Sequence, residues 1–138
     1  MNFVSDARLL ELPHHVREDG EVVVAEVMAH IPFTIARLFT VRAPLDTERG
    51  KHAHRRCTQF MICVHGAVEI ICDDGSGKCV FTLNRGNLAL HVPPGIWNTI
   101  IFHKEDSVLA VLCDRLYEEE DYIRDYDAFI CFRQGARL

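Results

Sequence analysis

The strongest constraint on how this chain can fold is its punctuation. From Phe33 to Cys113, short apolar runs alternate with clusters of Gly, Pro, Asn and Asp. The spacing of roughly 8–12 residues is that of a sandwich, barrel or jelly roll made of short strands. Glu21 to Met28 (EVVVAEVM) is rich in Val and reads as a strand, and Phe33 to Arg42 alternates with a period of two. Ala43 to Gly50 carries Pro, Asp and Gly and reads as a loop. Cys57 to Val64 is a long apolar strand that stops before Gly66. Ala67 to Cys72 and Cys79 to Leu83 then form a hairpin about Asp73-Asp74-Gly75-Ser76-Gly77, where glycine supplies positive φ without steric cost. Leu88 to Val92, Thr99 to Phe102 and Ser107 to Cys113 complete the set.

The period changes near the C-terminus. Tyr122, Ile123, Tyr126, Phe129 and Ile130 form one apolar stripe at helical spacing, preceded by Glu118, Glu119, Glu120 and Asp121 where a first helical turn favours negative charge. A helix over residues 118–133 is expected, capped near Gly135 and packed on a β body spanning about residues 20–113. The length, 138 residues, suits one domain over 1–138.

Composition narrows the function classes. Fifteen Lys and Arg face twenty Asp and Glu, a net charge of −5, which argues against a nucleic-acid binder working through bulk charge. No run of apolar residues reaches the roughly 18 needed for a membrane span, and Met1 to Asp6 has no signal-peptide character, so a cytoplasmic protein without membrane partners is expected. The six cysteines include no C-x-x-C pair and mostly sit in apolar runs, so they read as reduced, buried thiols.

The chemistry concentrates in Gly50-Lys51-His52-Ala53-His54. On an extended segment, a period of two points both imidazoles to one face. Downstream lie Gln59, Gly66, Gly86 and Pro93-Pro94-Gly95-Ile96-Trp97-Asn98. These intervals resemble the two motifs of the cupin superfamily, which implies an all-β double-stranded β-helix, or jelly roll, here with one C-terminal α-helix. The cupin pattern places Glu and a third His where this chain has Gln59 and Asn98. Neutral amides are poor ligands for a transition metal, so a pocket without metal or other cofactor is expected. His52 and His54 are then free to move protons near neutral pH.

A closer resemblance follows from Arg49-Gly50-Lys51-His52-Ala53-His54, Pro32-Phe33-Thr34-Ile35-Ala36-Arg37, Pro93 to Trp97, and Tyr117 with Asp121 to Phe129. Together these blocks are similar to the sugar-nucleotide 3,4-ketoisomerases, the WxcM-like C-terminal family. The resemblance implies isomerisation of a dTDP-linked 4-keto-6-deoxyhexose, a homodimer, and His52 and His54 as catalytic residues. It also implies Arg37, Phe39, Arg49, Gln59, Trp97 and Asn98 around the substrate. Arg37 and Arg49 read equally as salt-bridge residues, and Trp97 as plain core. Three positions depart from the family: Glu18-Asp19-Gly20 where an aromatic or Arg precedes Arg-Gly, Phe39 in place of Tyr, and Asn98 in place of Arg or His. Two alternatives remain open: a nucleotide-sugar-binding cupin without turnover, and a metal-dependent cupin recruiting His91 or Glu69. His14, His15, His30, His65 and His103 read as surface or core residues.

Overall fold

A computed structural model describes residues 1–135. Twelve strands and one helix follow in chain order: β1 (Arg8–Glu11), β2 (His14–Arg17), β3 (Gly20–Val23), β4 (Arg37–Val41), β5 (Glu48–His54), β6 (Gln59–His65), β7 (Val68–Asp73), β8 (Lys78–Leu83), β9 (Leu88–Val92), β10 (Trp97–Phe102), β11 (Val108–Cys113), β12 (Tyr122–Ile123) and α1 (Tyr126–Gly135). Two five-stranded antiparallel sheets, ordered β1-β9-β6-β11-β4 and β12-β5-β10-β7-β8, face one another, while β2 and β3 form a separate hairpin. This is the jelly roll expected from the punctuation.

Alternation builds the core between the sheets. Met61 and Cys63, Leu88 and Leu90, Leu109 and Val111, Val68 and Ile70, and Ile100 and Phe102 all point inward and are buried. The opposite face of the first sheet is also apolar. Phe60 and Ala89 there are covered by Leu12, Ile31 and Phe33, which lie before the first motif strand. On the outside of the second sheet, Ala53, Ile123 and Phe129 join Trp97, Ile130 and Phe132 in a third cluster beneath α1.

Several boundaries differ from the sequence reading. The β body starts at β1, not near residue 20, because Arg8 to Glu11 pairs with His91 to Leu88. The Val-rich run ends as a strand at Val23, since Met28 adopts a left-handed φ of 71° and Val27 bridges to Ile31, turning the chain back across the sheet. The helix begins at Tyr126 rather than at 118. Asp121 is drawn into the protein by His54, and Tyr122 and Ile123 pair with His54 and Ala53 as a strand. A helix becomes possible only at Asp125, whose carboxylate accepts the Ala128 backbone N–H as an N-cap. Gly135 is the last helical residue described rather than a residue beyond the end.

Candidate active site

The H-x-H segment is shaped by a bulge. Gly50 and Lys51 both have positive φ, 78° and 54°, and the pairing between β5 and β10 shifts register there. A Cβ at position 50 would lie 3.1 Å from both the backbone oxygen and Oδ1 of Asn98, so glycine is required by conformation and by space. Beyond the bulge the period of two holds. Ala53 is buried under α1, while the His52 and His54 rings meet edge to face with centroids 5.1 Å apart.

The two imidazoles are held differently. His52 Nδ1 donates to the Gly50 carbonyl oxygen across 3.0 Å, leaving Nε2 as a lone-pair acceptor. His54 Nδ1 donates to Asp121 Oδ2 across 2.8 Å, and His54 Nε2 is buried without a partner. The second Asp121 oxygen accepts the Arg56 backbone N–H at 2.6 Å. Burial opposes the Asp121 charge, but the hydrogen bonds from His54 and the Arg56 backbone outweigh it and hold the carboxyl below its usual range. Burial pushes the His54 pKa down against the pull of Asp121, so the dyad is a neutral imidazole on a carboxylate. Burial, then the neighbouring His54, lowers the His52 pKa to about 4. Both rings are therefore neutral, with Nε2 unprotonated, at physiological pH.

The low His52 pKa has a consequence for stability. An unfolded His52 takes a proton below about pH 6.5, whereas the folded residue does so only below about 4. Between these values the unfolded state binds more protons, so stability falls as pH drops. The loss approaches roughly 3 kcal/mol by pH 4, at about 1.36 kcal/mol per pKa unit. His52→Asn is expected to flatten the fall of Tm between pH 6.5 and 4.5. Parallel Tm profiles for the two proteins would contradict this environment for His52.

His52 opens into a cavity of about 190 Å³ inside the roll. Phe39, Gln59 and Asn98 line it with His52, and Arg49 and Arg124 stand at its exposed rim. Asn98 is 1% exposed, with neither its Nδ2 nor its Oδ1 hydrogen-bonded. A buried, unsatisfied amide in a cavity wall is a group awaiting a polar ligand. Three expected site residues, His54, Arg37 and Trp97, are not among the lining residues. Trp97 points to the other face of its sheet, where its ring packs 5.2 Å from Tyr126 and 5.6 Å from Phe129. Arg37 shares the inward face of β4 with Phe39 and Val41, donating to Cys113 Sγ at 3.6 Å with its guanidinium 5.5 Å from the Phe39 ring and in contact with the Tyr122 phenol. A larger cavity of about 630 Å³ lies by Arg8, His30 and His91, away from the paired imidazoles. We assign the chemistry to the smaller cavity, because only there does an H-x-H histidine meet unsatisfied polar groups.

Sequence reasoning missed Asp121 and Tyr122. The Tyr122 ring lies 4.4 Å from His54 and 5.1 Å from His52, and Tyr122 lines the cavity. Their signal was a place in the Asp121 to Phe129 block that carries the family resemblance, masked by an acidic run that mimics a helix start. Among the described residues, the only three-donor group close enough for a metal ion is His54, Cys57 and Asp121. This set fits a metal poorly, because His54 Nδ1 and both Asp121 oxygens are already committed to hydrogen bonds. Neither His91 nor Glu69 lines the His52 cavity, and Glu69 pairs with His103 at 3.2 Å.

A double-stranded β-helix with paired imidazoles inside its roll defines a cupin-type protein. The chain belongs to the FdtA family (WxcM-like, C-terminal), whose model matches residues 5–134. It is 36% identical over 111 residues, 80% of each chain, to the TDP-4-oxo-6-deoxy-alpha-D-glucose-3,4-oxoisomerase of Aneurinibacillus thermoaerophilus. QdtA, a sugar 3,4-ketoisomerase from Thermoanaerobacterium thermosaccharolyticum solved in complex with TDP, superposes with a TM-score of 0.91. Its sequence identity is 28%, covering 99% of this chain and 100% of that one. A 3,4-ketoisomerase from Helicobacter canadensis gives a TM-score of 0.89 at 31% identity, covering 94% and 98%. A histidine-to-asparagine variant of QdtA has been solved with TDP-4-keto-6-deoxyglucose.

Proposed function

We propose that this chain is a 3,4-ketoisomerase of a TDP-linked 4-keto-6-deoxyhexose, working by acid–base catalysis without a metal. The observation that carries the reading is His52, with Nδ1 tied to Gly50 and Nε2 left as a base in a cavity walled by the unsatisfied Asn98. The relatives' named activities supply the substrate class. A cavity of about 190 Å³ is small beside the roughly 300–1,000 Å³ of typical ligand sites, which suits one sugar ring with the nucleotide lying along the rim. Arg49 and Arg124 there supply cations for a diphosphate.

The C4 carbonyl acidifies the neighbouring C3–H bond. His52 Nε2 takes that proton, the electron pair forms the C3=C4 bond, and O4 gains a proton to give an enediol. Loss of the O3 proton then forms the C3 carbonyl, while C4 recovers the proton held by His52. Asp121 positions His54 beneath this ring and stabilises any charge it acquires. Gln59 and Asn98 offer donors and acceptors to the hydroxyls. Asn98 and Phe39, which differ from the family pattern, face the hexose and set which epimer is accepted.

We also read the protein as a homodimer. Val16 and Val22 on the β2–β3 hairpin and Leu38 and Val64 on the outer sheet are 55–68% exposed, an apolar surface suited to a second copy. Six unpaired cysteines fit a cytoplasmic setting. Among the described residues no helix is long and apolar enough to cross a membrane.

The test is incubation with TDP-4-keto-6-deoxyglucose in deuterated water, following C3 and C4 by NMR. Deuterium entry with formation of the 3-keto isomer is expected, and binding without either would favour the non-catalytic alternative. Turnover is expected to survive exhaustive chelation. Loss on chelation that one specific metal restores would overturn the metal-free mechanism.

A further inference from the structure

We infer that Tyr122 is a catalytic residue, the group that moves the proton between the two hexose oxygens. This rests on the ketoisomerase reading above. The reaction requires two proton transfers, one between carbons and one between oxygens, and each needs a group that both gives and takes a proton. The cavity wall is selective in this respect. Phe39, Val41, Met61, Ile100 and Val111 cannot transfer protons, the amides of Gln59 and Asn98 do not titrate, and Arg49 and Arg124 stay charged. Among the described lining residues, His52 and Tyr122 alone can do both. His54 does not line the cavity.

The surroundings of the phenol support this role. Its ring leans on both imidazoles, with centroids 4.4 and 5.1 Å away, so a substrate over His52 Nε2 also meets Tyr122. The Arg124 guanidinium carbon sits 4.3 Å from the ring centre, and Glu119 grips that guanidinium through two bonds of 2.9 and 3.0 Å. Arg37 also contacts the phenol. Burial opposes its charge, but contact with Cys113 and the Tyr122 phenol holds its pKa above the ordinary value. The proton balance closes: once His52 has broken the C3–H bond, the phenol gives its proton to O4 of the enediolate, and it regains one from O3 as the C3 carbonyl forms. His52 meanwhile carries one proton from C3 to C4.

The test compares the wild type with Tyr122→Phe on TDP-4-keto-6-deoxyglucose in deuterated water, reading C3 exchange and product separately. The wild type is expected to do both. Tyr122→Phe, which keeps the ring, is expected to lose about a hundredfold in product formation while still exchanging C3. A wild type that binds but neither exchanges nor converts refutes the ketoisomerase reading, and this proposal with it. A converting wild type with an equally fast variant overturns Tyr122 alone. So does a folded variant that loses exchange and product in equal proportion, because Tyr122 would then act only by positioning His52. As a second measurement, 3-fluorotyrosine at position 122 should move the alkaline limb of the pH–rate profile to lower pH, and an unmoved limb also overturns the role.

Discussion

His52→Asn is expected to lower turnover at least about a hundredfold and to abolish deuterium exchange at C3, with little change in nucleotide-sugar binding. Asn preserves the approximate size of the side chain and its bond to the Gly50 carbonyl, but offers no lone pair that can take a carbon-bound proton. On the proposed reading the rim arginines hold the diphosphate, so binding is left to groups other than His52. His54→Asn should also cost about a hundredfold, with slow C3 exchange surviving because His52 remains. Single-turnover kinetics with NMR-detected exchange separates the two variants. Near-normal turnover in both would remove the histidine pair from the mechanism and leave a binding module.

The second large effect is expected at Asp121. Asp121→Asn keeps the size of the side chain but removes the charge that anchors His54 Nδ1–H, and an amide nitrogen turned to that ring would force the other tautomer. Turnover should fall about fiftyfold or more, within the range of a lost acid–base contribution. Stability should drop by roughly 1–3 kcal/mol, because the carboxylate also serves the Arg56 backbone N–H in a buried setting. If Asp121 is only structural, the variant will lose Tm while the pH–rate profile keeps its shape. A displaced acidic limb is the expected result.

The strand period put His52 and His54 on one face, and the family resemblance named Phe39, Arg49, Gln59 and Asn98. His52, Phe39, Arg49, Gln59 and Asn98 all reach one cavity. Some positions were harder, since which face a strand residue occupies depends on the partner sheet. Trp97 is the clearest example. Its neighbour Asn98 turns inward to the cavity, so Trp97 must turn outward, where α1 covers it. Its place in the family motif reflects packing between the roll and the helix.

The acidic run before α1 illustrates the other kind of failure. Four carboxylates ahead of an apolar stripe satisfy the local preferences of a helix start. A competing partner 67 residues away decides otherwise: Asp121 is worth more against His54 than at an exposed helix terminus, so the helix waits for Asp125.

By itself the sequence determined the strand-rich class of this protein and the imidazole pair on one face, since each follows from a short period. Only the tertiary structure decided that Asp121 orients His54, that Tyr122 joins His52 on the cavity wall, and that Trp97 turns outward beneath α1. Those assignments depend on which distant strands become neighbours. Pairing is selected by burial summed over whole sheets, and no residue pattern within a single strand carries that information.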